Sequence, residues 1–272
     1  MTARSQSLSG RALAALATPD PRKKAAAVRA LAHDWRAGSI TAIGRAAPID
    51  RPARPERPAL RPPREVPKRK ISRAPEGRIA LLHALAHIEL NAIDLACDII
   101  ARFADGDLPR AFYDDWVRVA DEEAKHYLLL DRRLADLGAA YGDLPAHDGL
   151  WQSAEATAGD LLARLAVVPL VLEARGLDVT PQMISKLEAV GDGESAAALG
   201  IIYEDEKGHV AIGKRWFDWL CTRRGLEPTH TWRDLVRRHF KGQVKPPFNE
   251  EARRAAGLQP SFYENLEGEA AN

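Results

Sequence analysis

The residues best placed to do chemistry occur twice, in matched frames. Asp121-Glu122-Glu123-Ala124-Lys125-His126 and Glu204-Asp205-Glu206-Lys207-Gly208-His209 each read acid, acid, Glu, two spacers, His. On a helix, residues three apart share a face, so each copy offers a carboxylate and an imidazole to one point in space. One such match carries little weight, because 18 Glu and 8 His in 272 residues give about half a match by chance. A third, Glu227-Pro228-Thr229-His230, contains a proline and follows Gly225, which predicts a turn. The neighbours of the first two at helical spacing are apolar: Trp116, Val119, Ala120, Tyr127 and Leu130 around Glu123, and Leu199, Ile202, Tyr203 and Val210 around Glu206. Each Glu and His therefore lies in a stripe that should face a core. A carboxylate buried there needs a cation, either a Lys or Arg of the chain or a metal ion. An ion pair is the plainer explanation for one copy; two copies in matched frames favour metal.

The elements that must position these groups are helices. Ile79 to Phe103 has a strong helical pattern, with Leu82, Leu85, Ala86, Ala92, Ile93 and Ala96 on one face and Glu89 in its middle; Gly106 and Pro109 punctuate its end. A second helix is expected from Pro109 to Leu137, carrying Glu123 and His126. The loop Gly138 to Gly149 follows, where His147 and Asp148 could touch a substrate mouth but a turn role is favoured. A third helix, about Leu150 to Arg175, carries Glu173, and Pro169 should kink it one turn earlier. Gly176 to Gly193 reads as an interruption with a short helix at Pro181 to Ala189, and a fourth helix runs from Glu194 to Arg224. Glu89 to Glu123 is 34 residues and Glu173 to Glu206 is 33, so Glu then Glu-x-x-His occurs twice. His83 and His87 sit four apart, but His87 lies about 200° round the helix from Glu89 at 100° per residue, and both read as packing residues.

Composition sets the limits. A hydrophobic content of 46% supports a sizeable core, and a net charge of +1 does not mark the whole molecule as a nucleic-acid binder. No apolar run is read as reaching membrane-span length. Cys97 and Cys221 form no metal or redox motif, which points to a reducing cytoplasm. Residues 1–47 read as an N-terminal helical arm and 48–75 as a Pro/Arg-rich connector; 76–240 hold the bundle and 241–272 a C-terminal tail. From Arg51 to Arg73 nine Lys/Arg face two Glu, a net +7. An extended, solvated connector is the favoured reading. A basic strap for nucleic acid is less favoured, because aromatic residues for base stacking are absent.

Four helices can aim four Glu and two His at one interior site, the carboxylate-rich di-iron or di-manganese plan of ferritin-like bundles. Two divalent ions carry four positive charges, which four carboxylates offset, and an imidazole on each metal suits iron. In that plan Glu89 and Glu173 are terminal ligands, Glu123 and Glu206 bridge, and His126 and His209 each take one metal. Asp205 and Glu122 are candidates to orient the imidazoles, while Tyr127 and Tyr203 are near enough along the chain to line the cavity.

The stretches Leu81-Leu82-His83-Ala84-Leu85-Ala86-His87-Ile88-Glu89-Leu90-Asn91-Ala92-Ile93-Asp94-Leu95 and Lys245-Pro246-Pro247-Phe248-Asn249, with Ala252-Arg253 and Ala256-Gly257 after it, resemble the ferritin-like domain-of-unknown-function family 455. The resemblance covers nearly the whole chain, and all six metal residues have their counterparts here. It implies an all-α ferritin-like four-helix bundle with the tail wrapped round it; Asn249 and Arg253 are read as closing the site's mouth or, the plainer role, as anchoring that tail. A distant kinship to a tRNA hydroxylase of ferritin-like fold implies an O2-using pair of irons; the donor set itself leaves manganese as the alternative metal. The expected activity is oxidation of an unidentified small molecule or modified nucleoside, with an external electron donor. Iron handling by a ferroxidase and tRNA modification are the competing functions.

Overall fold

The computed structural model describes residues 6–67, 69–104 and 107–264; Gly106, expected to end a helix, lies outside them, as do residues 1–5 of the arm and 265–272 of the tail. The protein is all-α. Among the described residues no strand forms, and β-type pairing is an isolated bridge between Leu60 and Ala146. The chain divides into two compact units, residues 1–151 with 186–198, and residues 152–185 with 199–272.

The first unit is built on four helices: α1 (Leu8–Leu16), α2 (Pro21–Arg36), α3 (Pro75–Arg102) and α4 (Arg110–Asp136). Helix α3 pairs with α4 as a helical hairpin, α1 packs on α3, and α2 packs on α4. Local chemistry starts the helices. Ser7 caps α1 by accepting from the Gly10 N–H, Asp20 caps α2 by accepting from the Lys23 N–H, and Pro21 and Pro75 open α2 and α3, where a missing N–H costs nothing.

Helix α3 corrects one expectation, because it is long and apolar enough to cross a membrane. It is a core helix, with 78% of that apolar window buried inside the chain. Its polar residues are buried too. His83, His87, Asn91, Asp94 and Asp98 follow helical spacing and form one stripe, and each has a partner. His83 Nε2 accepts from the Gly142 N–H at 3.0 Å. Tyr141 donates its hydroxyl to His87 Nδ1 at 2.8 Å, and His87 Nε2 donates to the His147 carbonyl at 3.0 Å. Asp98 pairs with Arg102. Both histidines thus clamp the loop after α4, and burial pushes the His87 pKa down to about 3.

The Pro/Arg-rich segment is a second correction. It is not a solvated connector over its first half. Lys24 Nζ donates to the Ala53 carbonyl at 3.0 Å, the Ala53 N–H to Leu16 at 2.8 Å, Trp151 Nε1 to Asp50 at 3.1 Å, and Arg102 to Ile49 at 2.8 Å. The Arg61 N–H and the Ala59 carbonyl both bond Ala146, while Pro52 and Pro58 are buried. Prolines supply no N–H but leave their neighbours' carbonyls free to accept, and partners distant in sequence take that opportunity.

The second unit contains α6 (Leu161–Val167), a π-helical segment (Val168–Glu173), most of α7 (Ala174–Ala189), most of α8 (Gly193–Arg224), and α9 (Pro228–His239), α10 (Glu250–Ala255) and α11 (Pro260–Tyr263). The expected third helix is interrupted. The short helix α5 (Gly149–Ala156) stops before Thr157, and α6 restarts under an Asp160 cap that accepts from the Leu162 N–H. Buried Arg164 closes the break, donating to Thr157 Oγ1 at 2.8 Å and to the Ala154 carbonyl at 2.7 Å. Pro169 does disturb the helix where expected, but as a widened π turn that ends at Glu173. Helix α7 then runs unbroken through Gly176 and Pro181, so the expected interruption there is absent. Nor is Glu227-Pro228-Thr229-His230 merely a turn: Glu227 caps α9 by accepting from the N–H groups of Thr229 and His230. Pro at the first helical position and a carboxylate just before it make a start signal.

Inside this unit α8 passes close to the π segment. A Cβ built on Gly213 would sit 2.2 Å from Pro169 Cβ, and a proline ring held in a helix has no easy way to yield. Gly213→Ala is expected to lower stability by about 1–3 kcal/mol through overpacking, despite the ~1 kcal/mol that alanine gains in helix propensity. A thermal melt checks this; an unchanged or raised melting temperature would rule out the close approach.

Candidate metal centre

The hairpin of α3 and α4 brings three of the expected ligands together. Glu89 comes from the middle of α3, and Glu123 and His126 from successive turns of α4. Their ligand atoms all lie within 4.8 Å of one another. His126 Nδ1 is 3.4 Å from Glu89 Oε2 and 3.4 Å from Glu123 Oε2. Glu89 is 4% exposed, and Glu123 and His126 are 0% exposed.

Electrostatics make this triad unusual. The charged groups acting on Glu89 are Glu123 and His126; among the described residues no Lys or Arg pairs with it. Its Oε2 is buried and carries no hydrogen bond. Burial drives the Glu89 pKa well up, and the adjacent Glu123 charge pushes it further. Glu89 is thus a buried carboxyl set beside a second carboxylate and an imidazole, a setting in which a bound cation would favour its ionised form. Two carboxylate oxygens and one ring nitrogen are also the donor set that a first-row transition metal accepts, so these residues fit a metal ion.

The second unit repeats the motif by itself. Glu206 and His209 stand three apart on α8, with Glu206 Oε2 3.8 Å from His209 Nδ1. His209 is buried, and Glu206 is partly so. Glu173 is the last residue of the π segment and is half-buried. That turn widens the helix just where the carboxylate leaves it, and such turns recur at functional sites.

The outer candidates fall in different settings. Glu122 accepts from Arg118 Nε at 3.0 Å on the surface of α4. Asp205 is half-buried beside Glu206 in sequence. Tyr127 is buried, with its ring edge-on to Tyr141 at 5.7 Å, and burial raises its pKa. Tyr203 accepts from Asn249 Nδ2 at 3.0 Å, and the Lys207 ammonium lies 4.4 Å from its ring centre. Tyr141 has no place in the sequence-based set, yet it contacts Tyr127, His83 and His87. A lone tyrosine in a loop offers no periodic signal. His147 accepts from the Gly149 N–H, a turn contact, and Asp148 pairs with Arg51.

The tail is anchored as expected. Arg253 Nε and NH2 donate to the two oxygens of Asp178, both at 2.7 Å, and its guanidinium lies over the rings of Phe248 and Tyr263. Asn249 caps α10 by accepting from the Ala252 N–H.

Comparison with known proteins places this architecture in a family. A 213-residue stretch is 45% identical to an "Uncharacterized protein" of Haemophilus influenzae, covering 75% of this chain and 72% of that protein. No solved structure matches the chain. The family model described as "Protein of unknown function (DUF455)" matches residues 17–264, from the end of α1 through both Glu-x-x-His motifs to the anchored tail, and the chain belongs to that family.

Proposed function

We propose that the protein is a di-iron carboxylate oxidoreductase of ferritin-like four-helix-bundle fold, using O2 to oxidise an organic substrate. In this reading the ligands of both triads would serve one dinuclear centre. Glu89 and Glu173 would each hold one metal, Glu123 and Glu206 would be shared between the two, and His126 and His209 would each hold one metal. The observation that carries the reading is the buried Glu89 carboxylate, whose Oε2 has no hydrogen bond and faces Glu123 and His126 without a Lys or Arg. When bound, a pair of irons supplies the redox equivalents for reducing O2, which no side chain of this set can deliver.

The chain's own residues do the rest. Glu89, Glu123 and His126 sit where water is excluded, so their charges act on a bound cation with little screening. Their helices are held by Asp94 and the histidine clamps on the other face of α3, which limits drift of the ligand atoms. The tail lock at Arg253 and Asp178 fixes α7, the helix that follows Glu173.

Anaerobic loading with Fe(II), metal analysis and Mössbauer spectroscopy before and after exposure to air test this. Two irons per chain with a coupled diferric signature, and O2 uptake beyond that needed to oxidise the iron once reductant is present, are expected. Failure to take up any transition metal would sink the whole reading. Two irons with uptake that stops at iron oxidation would leave a ferroxidase instead, and selective retention of manganese would replace the metal.

A further inference from the structure

We infer that residues 57–67 and 69–73 of the strap form a preorganised track for the phosphate backbone of a nucleic-acid duplex. The strap divides by what its cations touch. Arg51 pairs with Asp148, and Arg54 NH2 lies 2.9 Å from Asp94 and 2.6 Å from Asn91 Oδ1. These two are spent on holding the strap to the first unit. Beyond them, Arg57, Arg61, Arg64, Arg69, Lys70 and Arg73 are all exposed at the surface, with the Arg69 guanidinium partly desolvated beside His147. Among the described residues none pairs with an acid except Arg64, which is 86% exposed and approaches only its neighbour Glu65, at 3.9 Å.

The backbone beneath these cations is already held. The Ala59 carbonyl and the Arg61 N–H both bond Ala146, a 3₁₀ turn forms at Pro63–Glu65, and the Lys70 carbonyl abuts Gly77 in the first turn of α3. A segment ordered in advance loses little entropy on binding. The net +7 of Arg51–Arg73 within a chain of net +1 leaves −6 for the rest, so the positive charge is concentrated here. Elsewhere, surface arginines such as Arg36, Arg118 and Arg254 have acidic partners.

The chemistry selects the partner. Guanidinium outnumbers ammonium five to one among the six exposed cations, and its planar fork suits phosphate oxygens. Residues 57–73 contain no Phe, Tyr or Trp, so unstacked bases have no platform. The same lack leaves nothing aromatic to anchor the strap in a membrane interface. What remains is the regular phosphate array of a duplex, read without sequence preference.

The test uses the full chain and fluorescence anisotropy with ~20-base-pair duplex RNA, duplex DNA, and a single strand of equal length. Both duplexes are expected to bind ahead of the single strand, losing about 10²- to 10³-fold in affinity between ~50 and ~200 mM salt. Arg61→Glu, Arg64→Glu and Arg73→Glu combined should flatten the salt slope by about 3, one per lost phosphate contact, with an unchanged melting temperature. Reversing Arg36, Arg237 and Arg254 instead gives the same net charge and should leave that slope intact. A stronger RNA or DNA arm identifies which duplex is the partner. No duplex binding at low salt, equal losses in the two triple variants, or binding to phosphatidylserine vesicles but not to duplexes would overturn the proposal.

Discussion

Glu123→Gln is expected to reduce transition-metal affinity by more than ~100-fold while making the metal-free chain more stable. Outer residues that merely orient a ligand are worth about 10–100-fold in affinity, and Glu123 is proposed as a ligand shared between both metals. Its replacement should therefore cost more than that. The opposite sign for the metal-free protein follows from the geometry. Glu123 and Glu89 lie together at 0% and 4% exposure, with His126 Nδ1 3.4 Å from each carboxylate. Burial and the Glu123 charge together raise the Glu89 pKa. Glutamine keeps the volume and removes one buried charge, so the remaining carboxylate loses its like-charged neighbour. Relief of one pKa unit is worth about 1.4 kcal/mol. Metal binding offsets this cost in the wild type, adding about 4 kcal/mol at a thousand-fold excess over Kd. Melting curves with and without Fe(II), together with titration calorimetry, read both signs. Glu206→Gln separates the arrangements: loss of both metals supports one shared centre, whereas loss of one metal would mean two independent sites. A Glu123→Gln protein that keeps full affinity, or melts lower than wild type without metal, would contradict this account.

The parts of this site that were legible in the sequence are those fixed by local rules. Glu123 with His126, and Glu206 with His209, stand three apart, and helical geometry alone puts each pair on one face; the structure places them 3.4 Å and 3.8 Å apart. Glu89 was legible because a carboxylate interrupts an apolar stripe. What could not be read depended on partners distant in sequence. His83 and His87 resemble a metal pair by spacing, and only the loop at Tyr141, Gly142 and His147 shows what they hold. The Arg-Pro repeats of the strap look solvated until Asp94, Leu16 and Ala146 supply their contacts. Pro169 and Pro181 are each a helix breaker by local rule, yet the first produces a π turn and the second sits inside α7. Packing chose between those outcomes, as the fit of Gly213 against Pro169 shows. Helix α9 is a different kind of miss, since Glu227 and Pro228 carried its start signal and were read as a turn.

Asp94 is the residue on which the first unit's interior charge balance turns, and its removal is expected to cost about 4–5 kcal/mol of stability. Lys24 reaches it from α2, with Nζ 2.5 Å from Oδ1, and Arg54 reaches it from the strap, with NH2 2.9 Å from Oδ2. Lys24 and Asp94 are 1% and 0% exposed, whereas Arg54 keeps 21% exposure. Burial lowers the Lys24 pKa and raises that of Asp94, so neither charge is comfortable without the other. The two single substitutions should therefore differ. Lys24→Met leaves Asp94 with Arg54 and is expected to cost about 3 kcal/mol, the lower end for a broken buried pair. Asp94→Asn leaves a buried ammonium facing a guanidinium with no anion between them, which is the worse outcome. The double variant should cost less than the sum, because Met strands no charge and Arg54 can turn to water. Urea denaturation of the three proteins measures the cycle. Lys24→Met should also speed proteolysis within residues 48–62, since Lys24 Nζ holds the Ala53 carbonyl. Single variants that agree within about 1 kcal/mol of wild type would fall in the range of surface ion pairs, and the triad would then be peripheral to the stability of this unit.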